Sequence, residues 1–228
     1  MRIVLTNDDG IHAPGLAALS AAVARLGGEA VVVAPLEPHS GCGHRVTTDR
    51  PLRVHDHGLG RFAVAGTPAD CVRLALATLA PDAALVVAGI NAGGNLGVDV
   101  HHSGTVAAAR EAALHGRRAV AASQYHRRGT EIDWQRAARW LDDVLAGLPL
   151  GVTAAGEYWN VNFPDLPTAA ADPAIVECAL DSSPFTLAYR ETEAGWHYDS
   201  RYQDRPRAAG GDVDVCFGGA ISVTRLRV

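Results

Sequence analysis

The chain contains no lysine, so all 20 of its basic residues are arginine. A Walker P-loop, a kinase site built on a strand lysine, and Schiff-base or pyridoxal chemistry all need a lysine amine. All three are excluded. Positive charge is scarce as well: 20 basic residues stand against 25 acidic ones, for a net charge of -5. A surface for duplex nucleic acid needs clustered positive charge, and no such partner is expected. The four cysteines, Cys42, Cys71, Cys178 and Cys216, lie far apart with no C-x-x-C pair, which argues for reduced thiols and against a zinc cluster. No apolar run reaches about 18 residues without charge, so no membrane span is expected. The opening Met-Arg-Ile-Val-Leu-Thr-Asn-Asp-Asp-Gly meets two acids before a signal-peptide core could form. The expected location is the cytoplasm.

What is present is globular: 228 residues, 48% hydrophobic and 20% charged. A chain of this length buries roughly 70 to 75% of the surface that its unfolded form exposes, so a metal would serve chemistry rather than folding. Short valine- and isoleucine-rich runs alternate with helical stretches over the first 125 residues, the pattern of a parallel sheet covered by helices. Strands are expected at Arg2 to Thr6, Ala30 to Ala34, Arg61 to Ala65, Ala83 to Ala88 and Arg118 to Ser123. Between the first two, Leu16, Leu19, Val23 and Leu26 recur at helical spacing, with Pro14 near the start and Gly27-Gly28 at the stop. Thr67-Pro68-Ala69-Asp70 reads as a capped helix start, Asp133 to Leu148 as a further helix and Glu157 to Phe163 as a strand. Beyond Leu166, four prolines punctuate short strand-like pieces, Phe185 to Thr192 and Trp196 to Tyr202 among them. The expectation is an α/β fold: a Rossmann-like, doubly wound, mainly parallel sheet with a C-terminal β-rich appendage. Residues 1–165 form its catalytic core and 166–228 the appendage, whose last strand, Ala220 to Arg227, returns to the core sheet.

In open α/β sheets ligands bind beyond the carboxyl ends of the strands, and three loops there are unusual. After the first strand comes Asn7-Asp8-Asp9-Gly10, where a dinucleotide-binding protein would carry a glycine-rich turn. Two adjacent carboxylates repel a phosphate unless a cation sits between them, which suggests a hard divalent metal with oxygen ligands; ordinary Asp-Gly turn chemistry is the competing reading. After the second strand, the run Pro35 to His44 offers Ser40, His39 and His44 in flexible backbone, although loop histidines are usually just solvated. The third loop is Gly89-Ile90-Asn91-Ala92-Gly93-Gly94-Asn95-Leu96-Gly97, followed by Ser103-Gly104-Thr105 at a helix start. Its glycines allow close backbone approach, and the Ser-Gly-Thr hydroxyls and N–H groups could face an anion, unless the serine or threonine merely caps the helix. Together the loops describe metal-assisted phosphomonoester chemistry.

Several segments resemble the SurE family of stationary-phase survival proteins, metal-dependent nucleoside monophosphate phosphatases. They are Leu-Thr-Asn-Asp-Asp-Gly-Ile-His-Ala-Pro-Gly (5–15), Val-Ala-Pro (33–35) with Ser40-Gly41, Gly-Thr-Pro-Ala-Asp-Cys-Val (66–72), Gly-Ile-Asn-Ala-Gly-Gly-Asn-Leu-Gly (89–97) and Ser-Gly-Thr-Val-Ala-Ala-Ala (103–109), with fainter echoes at Asn160-Val161-Asn162 and Ile221-Ser222-Val223-Thr224. The resemblance implies a Rossmann-like core and one divalent ion, Mg2+ or Mn2+, held by Asp8, Asp9, Ser40 and Asn91. Asp8 and Asp9 would also be the catalytic pair, and the phosphate would lie near Asn95, Ser103, Gly104 and Thr105. Substrates would be nucleoside 5′- and 3′-monophosphates, with short polyphosphate for some members, and the family's habit of exchanging C-terminal segments implies a homodimer or tetramer. Cys42-Gly43-His44-Arg45 and His101-His102 depart from the family pattern. His44 and His102 are candidates for protonating the leaving oxygen, because an imidazole titrates near neutrality. The alternatives are an aspartyl-phosphate phosphatase, or a metal- and nucleotide-binding module without turnover.

Overall fold

The computed structural model describes residues 1–150 and 154–228. Strand β1 (Arg2–Thr6) leads through α1 (Pro14–Val23) to β2 (Glu29–Pro35), then β3 (Val54–Asp56) and β4 (Arg61–Val64). Helix α2 (Pro68–Leu74) precedes β5 (Leu85–Ala92), α3 (Gly104–Leu114), β6 (Arg118–Gln124), α4 (Trp134–Gly147) and β7 (Glu157–Phe163). The remainder comprises β8 (Ile175–Glu177), β9 (Tyr189–Thr192), β10 (Gly195–Tyr198), α5 (Asp212–Phe217) and β11 (Ile221–Arg227).

Among the described residues, nine strands form one sheet in the order β3-β4-β2-β1-β5-β6-β7-β11-β8. The central run from β4 to β7 is parallel, while β3 pairs antiparallel with β4 and β11 antiparallel with β7. Leu5, Val87, Val120 and Val161 pack with Leu16 and Leu19 of α1 and Leu141 of α4 on one face. Val4, Val86 and Ala121 pack with Val72 of α2 and Val106 and Ala109 of α3 on the other. The two faces give the doubly wound, Rossmann-like arrangement expected from the sequence. Chain order reverses between β1 and β5, so the loops that follow these two neighbours diverge and open a crevice at the switch point.

Local signals place the elements. Pro14 starts α1, and Gly27 at φ +67° ends the short turn after it. Thr67 and Asp70 form a reciprocal capping box on α2, and Asp133 caps α4 by accepting from the Arg136 N–H.

The last third departs from expectation in detail. Strand β11 returns to the main sheet beside β7, where the last strand was expected; the difference is β8, which extends the same edge although its residues fall in the segment expected as an appendage. β9 and β10 form a separate antiparallel pair. The segment expected as one strand from Phe185 enters the ladder only at Tyr189; ahead of it the Ser200 hydroxyl donates to the Thr186 carbonyl and accepts from the Ala188 N–H, and the Asp199 N–H donates to the Ala188 carbonyl, in place of a regular register. Helix α5 was not foreseen from the pattern: its six residues are too few for helical periodicity to register.

Candidate active site

The turn after β1 is held by its own asparagine. The Asn7 amide donates to the Gly10 carbonyl at 2.9 Å, and the Gly10 N–H returns to Asn7 Oδ1 at 3.2 Å. Gly10 has φ +100°, a conformation that side chains resist. Asn7 is therefore the structural member of the motif, which leaves Asp8 and Asp9 to face the crevice. Asp8 is only 5% exposed. Burial pushes its carboxyl up to about 6, with the charge of Asp9 adding to the rise and a hydrogen bond from the Thr105 hydroxyl opposing it. Burial likewise raises Asp9, opposed by the Ala92 N–H, which donates to Asp9 Oδ2 at 3.1 Å. That bond ties the β1 loop to the β5 loop across the switch point.

Asp8, Asp9, Ser40, Asn91, Asn95 and Ser103 line one cleft of about 300 Å³, together with Asp99, His102 and Tyr202. The His39 N–H donates to the Asp8 carbonyl at 2.7 Å, which sets Ser40 beside the acids. The Asn91 amide nitrogen is occupied by the Gly93 carbonyl at 2.8 Å, leaving its oxygen as the free end. Ser103 caps α3, accepting from the Val106 N–H at 3.0 Å, and its hydroxyl proton remains to be donated elsewhere.

Two of the expected anion donors lie behind the cleft wall. Thr105 is fully buried, and its hydroxyl is spent on Asp8. Gly104 serves close approach: a Cβ there would lie 2.9 Å from Asp8 Cβ and 3.0 Å from both Asp8 Oδ2 and Cys42 Sγ. Of the two candidate histidines, His102 borders the cleft. His44 does not line it, and its Nε2 lies 2.6 Å from Glu111 Oε2. His39 is half-buried, and burial together with the Arg45 charge lowers its pKa. His101 is exposed.

Asn95 is held with unusual completeness. Its N–H donates to Asn162 Oδ1 at 2.7 Å, its carbonyl accepts from Asn160 Nδ2 at 2.8 Å and Asn162 Nδ2 at 3.1 Å, and its side chain meets Ser123 Oγ at 2.8 Å. Asn160 and Asn162 in β7 and Ser123 near the end of β6 are fully buried. The sequence carried a signal for this clamp in polar residues at alternate positions of an otherwise apolar strand, which share one face. Nothing in the sequence marked a second tie: Asp99 Oδ2 accepts from the Tyr202 hydroxyl at 2.6 Å and from Arg205 at 2.7 Å, across more than 100 residues of chain. Burial and the Asp99 charge push the Tyr202 phenol well above its ordinary pKa.

Among the described residues, no three His, Cys, Asp or Glu side chains are grouped to hold a metal. The cleft instead gathers two carboxylates with amide and hydroxyl oxygens. That all-oxygen set suits a hard divalent cation, which would also relieve the burial of two adjacent acids.

The family profile described as "Survival protein SurE" matches residues 3–181. A protein of Nostoc sp. (strain PCC 7120), which its name assigns provisionally as a 5′-nucleotidase, is 47% identical over 228 residues and covers 100% of both chains. A 5′-nucleotidase SurE of Rhodospirillum rubrum is 41% identical, covering 100% of this chain and 90% of that one. The crystal structure of the SurE protein from Aquifex aeolicus superposes with a TM-score of 0.84 at 30% identity, covering 100% of this chain and 93% of that one. With the profile spanning most of the chain and relatives aligned end to end, the chain belongs to the SurE family.

Proposed function

We propose that the chain is a metal-dependent phosphomonoesterase that hydrolyses nucleoside monophosphates to nucleoside and phosphate. The observation that carries this reading is the adjacent pair of buried Asp8 and half-buried Asp9 at the switch point, in one cleft with Ser40, Asn91 and the capped start of α3. The names of the full-length relatives support it.

In this reading Asp8, Asp9, Ser40 and Asn91 hold one Mg2+ or Mn2+ ion. Such an ion supplies Lewis-acid polarisation of the phosphoryl group and lowers the pKa of water. The chain's own residues do the rest. Thr105 fixes the Asp8 carboxylate, and Gly104 lets the helix approach it closely. The Ser103 hydroxyl, at the start of α3, receives the phosphoryl oxygens. Asn95, immobilised by Asn160, Asn162 and Ser123, orients them, and His102 at the cleft edge hands a proton to the leaving oxygen.

Residues 1–165 act as the catalytic core, and 166–228 serve assembly as well as completing the sheet edge. On the β9–β10 pair and the residue run before it, Leu187, Tyr189 and Trp196 are 71%, 57% and 69% exposed. An apolar face of that kind fits burial in a homodimer or tetramer. No helix among the described residues is long and apolar enough to cross a membrane, and the four free thiols fit the cytoplasm.

The test is phosphate release from AMP by the purified protein, with Mn2+ and then with excess chelator after dialysis. Turnover that needs the ion supports the reading, and full activity in chelator overturns the metal assignment.

A further inference from the structure

At the end of α3 away from the cleft, Arg73, His115 and Arg117 line a pocket of about 360 Å³ together with Leu76 and Ala77. Among the described residues no carboxylate lines it, and its volume lies within the range of small-molecule sites. Helix α3 has 11 residues, so about 16 Å of helix separates the pocket from Ser103 and the acids. The pocket and the cleft share no lining residue.

The way α3 ends sets the geometry. Gly116 turns left-handed at φ +69°; its N–H donates to the Ala113 carbonyl at 3.0 Å, and the Arg117 N–H donates to the Ala112 carbonyl at 2.9 Å. This Schellman turn folds the chain back so that His115 and Arg117 border the same space as Arg73 from the last turn of α2. It also occupies carbonyls at the helix end that would otherwise oppose an anion.

Donors outnumber acceptors here. Arg117 gives one nitrogen to the Pro81 carbonyl at 2.9 Å, while its Nε is buried without a partner among the described residues, a state that desolvation penalises. Arg73 Nε stands 3.7 Å from Glu111 Oε1, beyond hydrogen-bond length. Glu111 is buried, and its two oxygens are already taken by His44 at 2.6 Å and His115 at 2.8 Å. One carboxylate therefore stands against two imidazoles and a guanidinium, and Arg117 has no ion-pair partner among the described residues. Two guanidinium forks with unspent N–H groups match the several oxygens of a phosphate group.

We propose that this pocket binds a phosphate group, free or carried by a small metabolite, at a site separate from the catalytic cleft. Arg73 and Arg117 grip the oxygens, and Leu76 and Ala77 form an apolar floor with room for an organic remainder. The site does not depend on what the cleft catalyses.

The experiment is calorimetric titration of the full-length protein, with inorganic phosphate and glycerol 3-phosphate as separate probes. Inorganic phosphate is titrated with Mg2+ and again in chelator, where the acids of the cleft repel it; binding is expected in both. Arg73→Gln and Arg117→Gln should each weaken that binding by about tenfold, the scale on which a hydrogen bond to a charged group contributes. Ser103→Ala should leave it unchanged in chelator. Both arginine variants should keep the circular dichroism of the parent; if Arg117→Gln, which also gives up the Pro81 bond, fails to fold, the exposed Arg73 carries the test. Tighter binding of glycerol 3-phosphate than of inorganic phosphate assigns the pocket to an ester, and equal or weaker binding assigns it to the free ion. Absence of binding in chelator, binding that survives the arginine substitutions, or binding lost in Ser103→Ala would each overturn the site.

Discussion

Replacing Asp8 with asparagine should stabilise the metal-free protein while it destroys the site. In the fold, burial lifts the Asp8 carboxyl from 3.8 to about 6. A carboxyl whose folded-state pKa is raised contributes full stability only below its unfolded value, and that contribution is lost as pH rises through about 6. The displacement corresponds to about 3 kcal/mol, and at 5% exposure little of it is screened by solvent. Asparagine has the same shape and keeps an oxygen to accept from Thr105, yet carries no charge to desolvate. In chelator at pH 8, Asp8→Asn should therefore exceed the parent by up to about 3 kcal/mol, or roughly 6 to 12 °C in Tm for a chain of this size. At pH 4 the difference should fall to well under about 1 kcal/mol, because the parent carboxyl is then protonated in the fold and only the unfolded chain still ionises in part. Added Mn2+ should reverse the order at pH 8 by stabilising the parent through mass action and the variant hardly at all. Thermal melts at both pH values, with chelator and with Mn2+, would check all of this. A variant less stable than the parent in chelator at pH 8, or a difference that ignores pH, would refute the reasoning.

Two further substitutions probe the supporting shell. Gly104→Ala places a methyl 2.9 Å from Asp8 Cβ. It should leave the fold intact, weaken Mn2+ binding in calorimetry and lower kcat/KM by about a hundredfold, the scale on which a small misplacement acts. Asn162→Ala leaves the Asn95 N–H and one bond to the Asn95 carbonyl unmade. It should cost about 1 to 3 kcal/mol in chemical denaturation and raise KM for AMP while Mn2+ affinity holds; an unchanged KM would remove Asn162 from phosphate positioning.

The core was legible because parallel strands buried on both faces read as short valine-rich runs, and because Pro14, Thr67 and Asp133 are unambiguous starts. β1 and β7 fall where the pattern puts them, and β5 runs on to Ala92 because Asn91 and Ala92 pair with Ser123 and Gln124 beyond an irregularity after Ala88. The cleft was legible in its motifs, since Asp8, Asp9, Ser40, Asn91, Asn95 and Ser103 all line it. Thr105 was harder. A hydroxyl at a helix start looks the same in sequence whether it faces an anion or turns inward to a carboxylate nearly a hundred residues away. The Asp99–Tyr202–Arg205 tie has no local pattern at all, because it depends on how the C-terminal segment folds back over the loop.

The two walls of the cleft are fastened by different chemistry. Asn95 hangs on the neutral amides of Asn160 and Asn162 and the hydroxyl of Ser123, none of which changes charge with pH. The irregular run between β2 and β3 that carries Ser40 is stitched by His44 to Glu111 and by Thr47 to Asp70. Burial works against both carboxylates, yet the bonds from His44 and His115 on Glu111, and from Thr47 and Thr67 on Asp70, hold them below their ordinary values. Such groups stabilise the fold above their unfolded values of 4.5 and 3.8, and that contribution fades as pH falls through their lower folded ones. Strong acid thus loosens the ties of the wall that carries Ser40 and leaves the amide clamp on Asn95 unchanged, so the molecule would lose its grip on the cation before the amide that orients the anion moves.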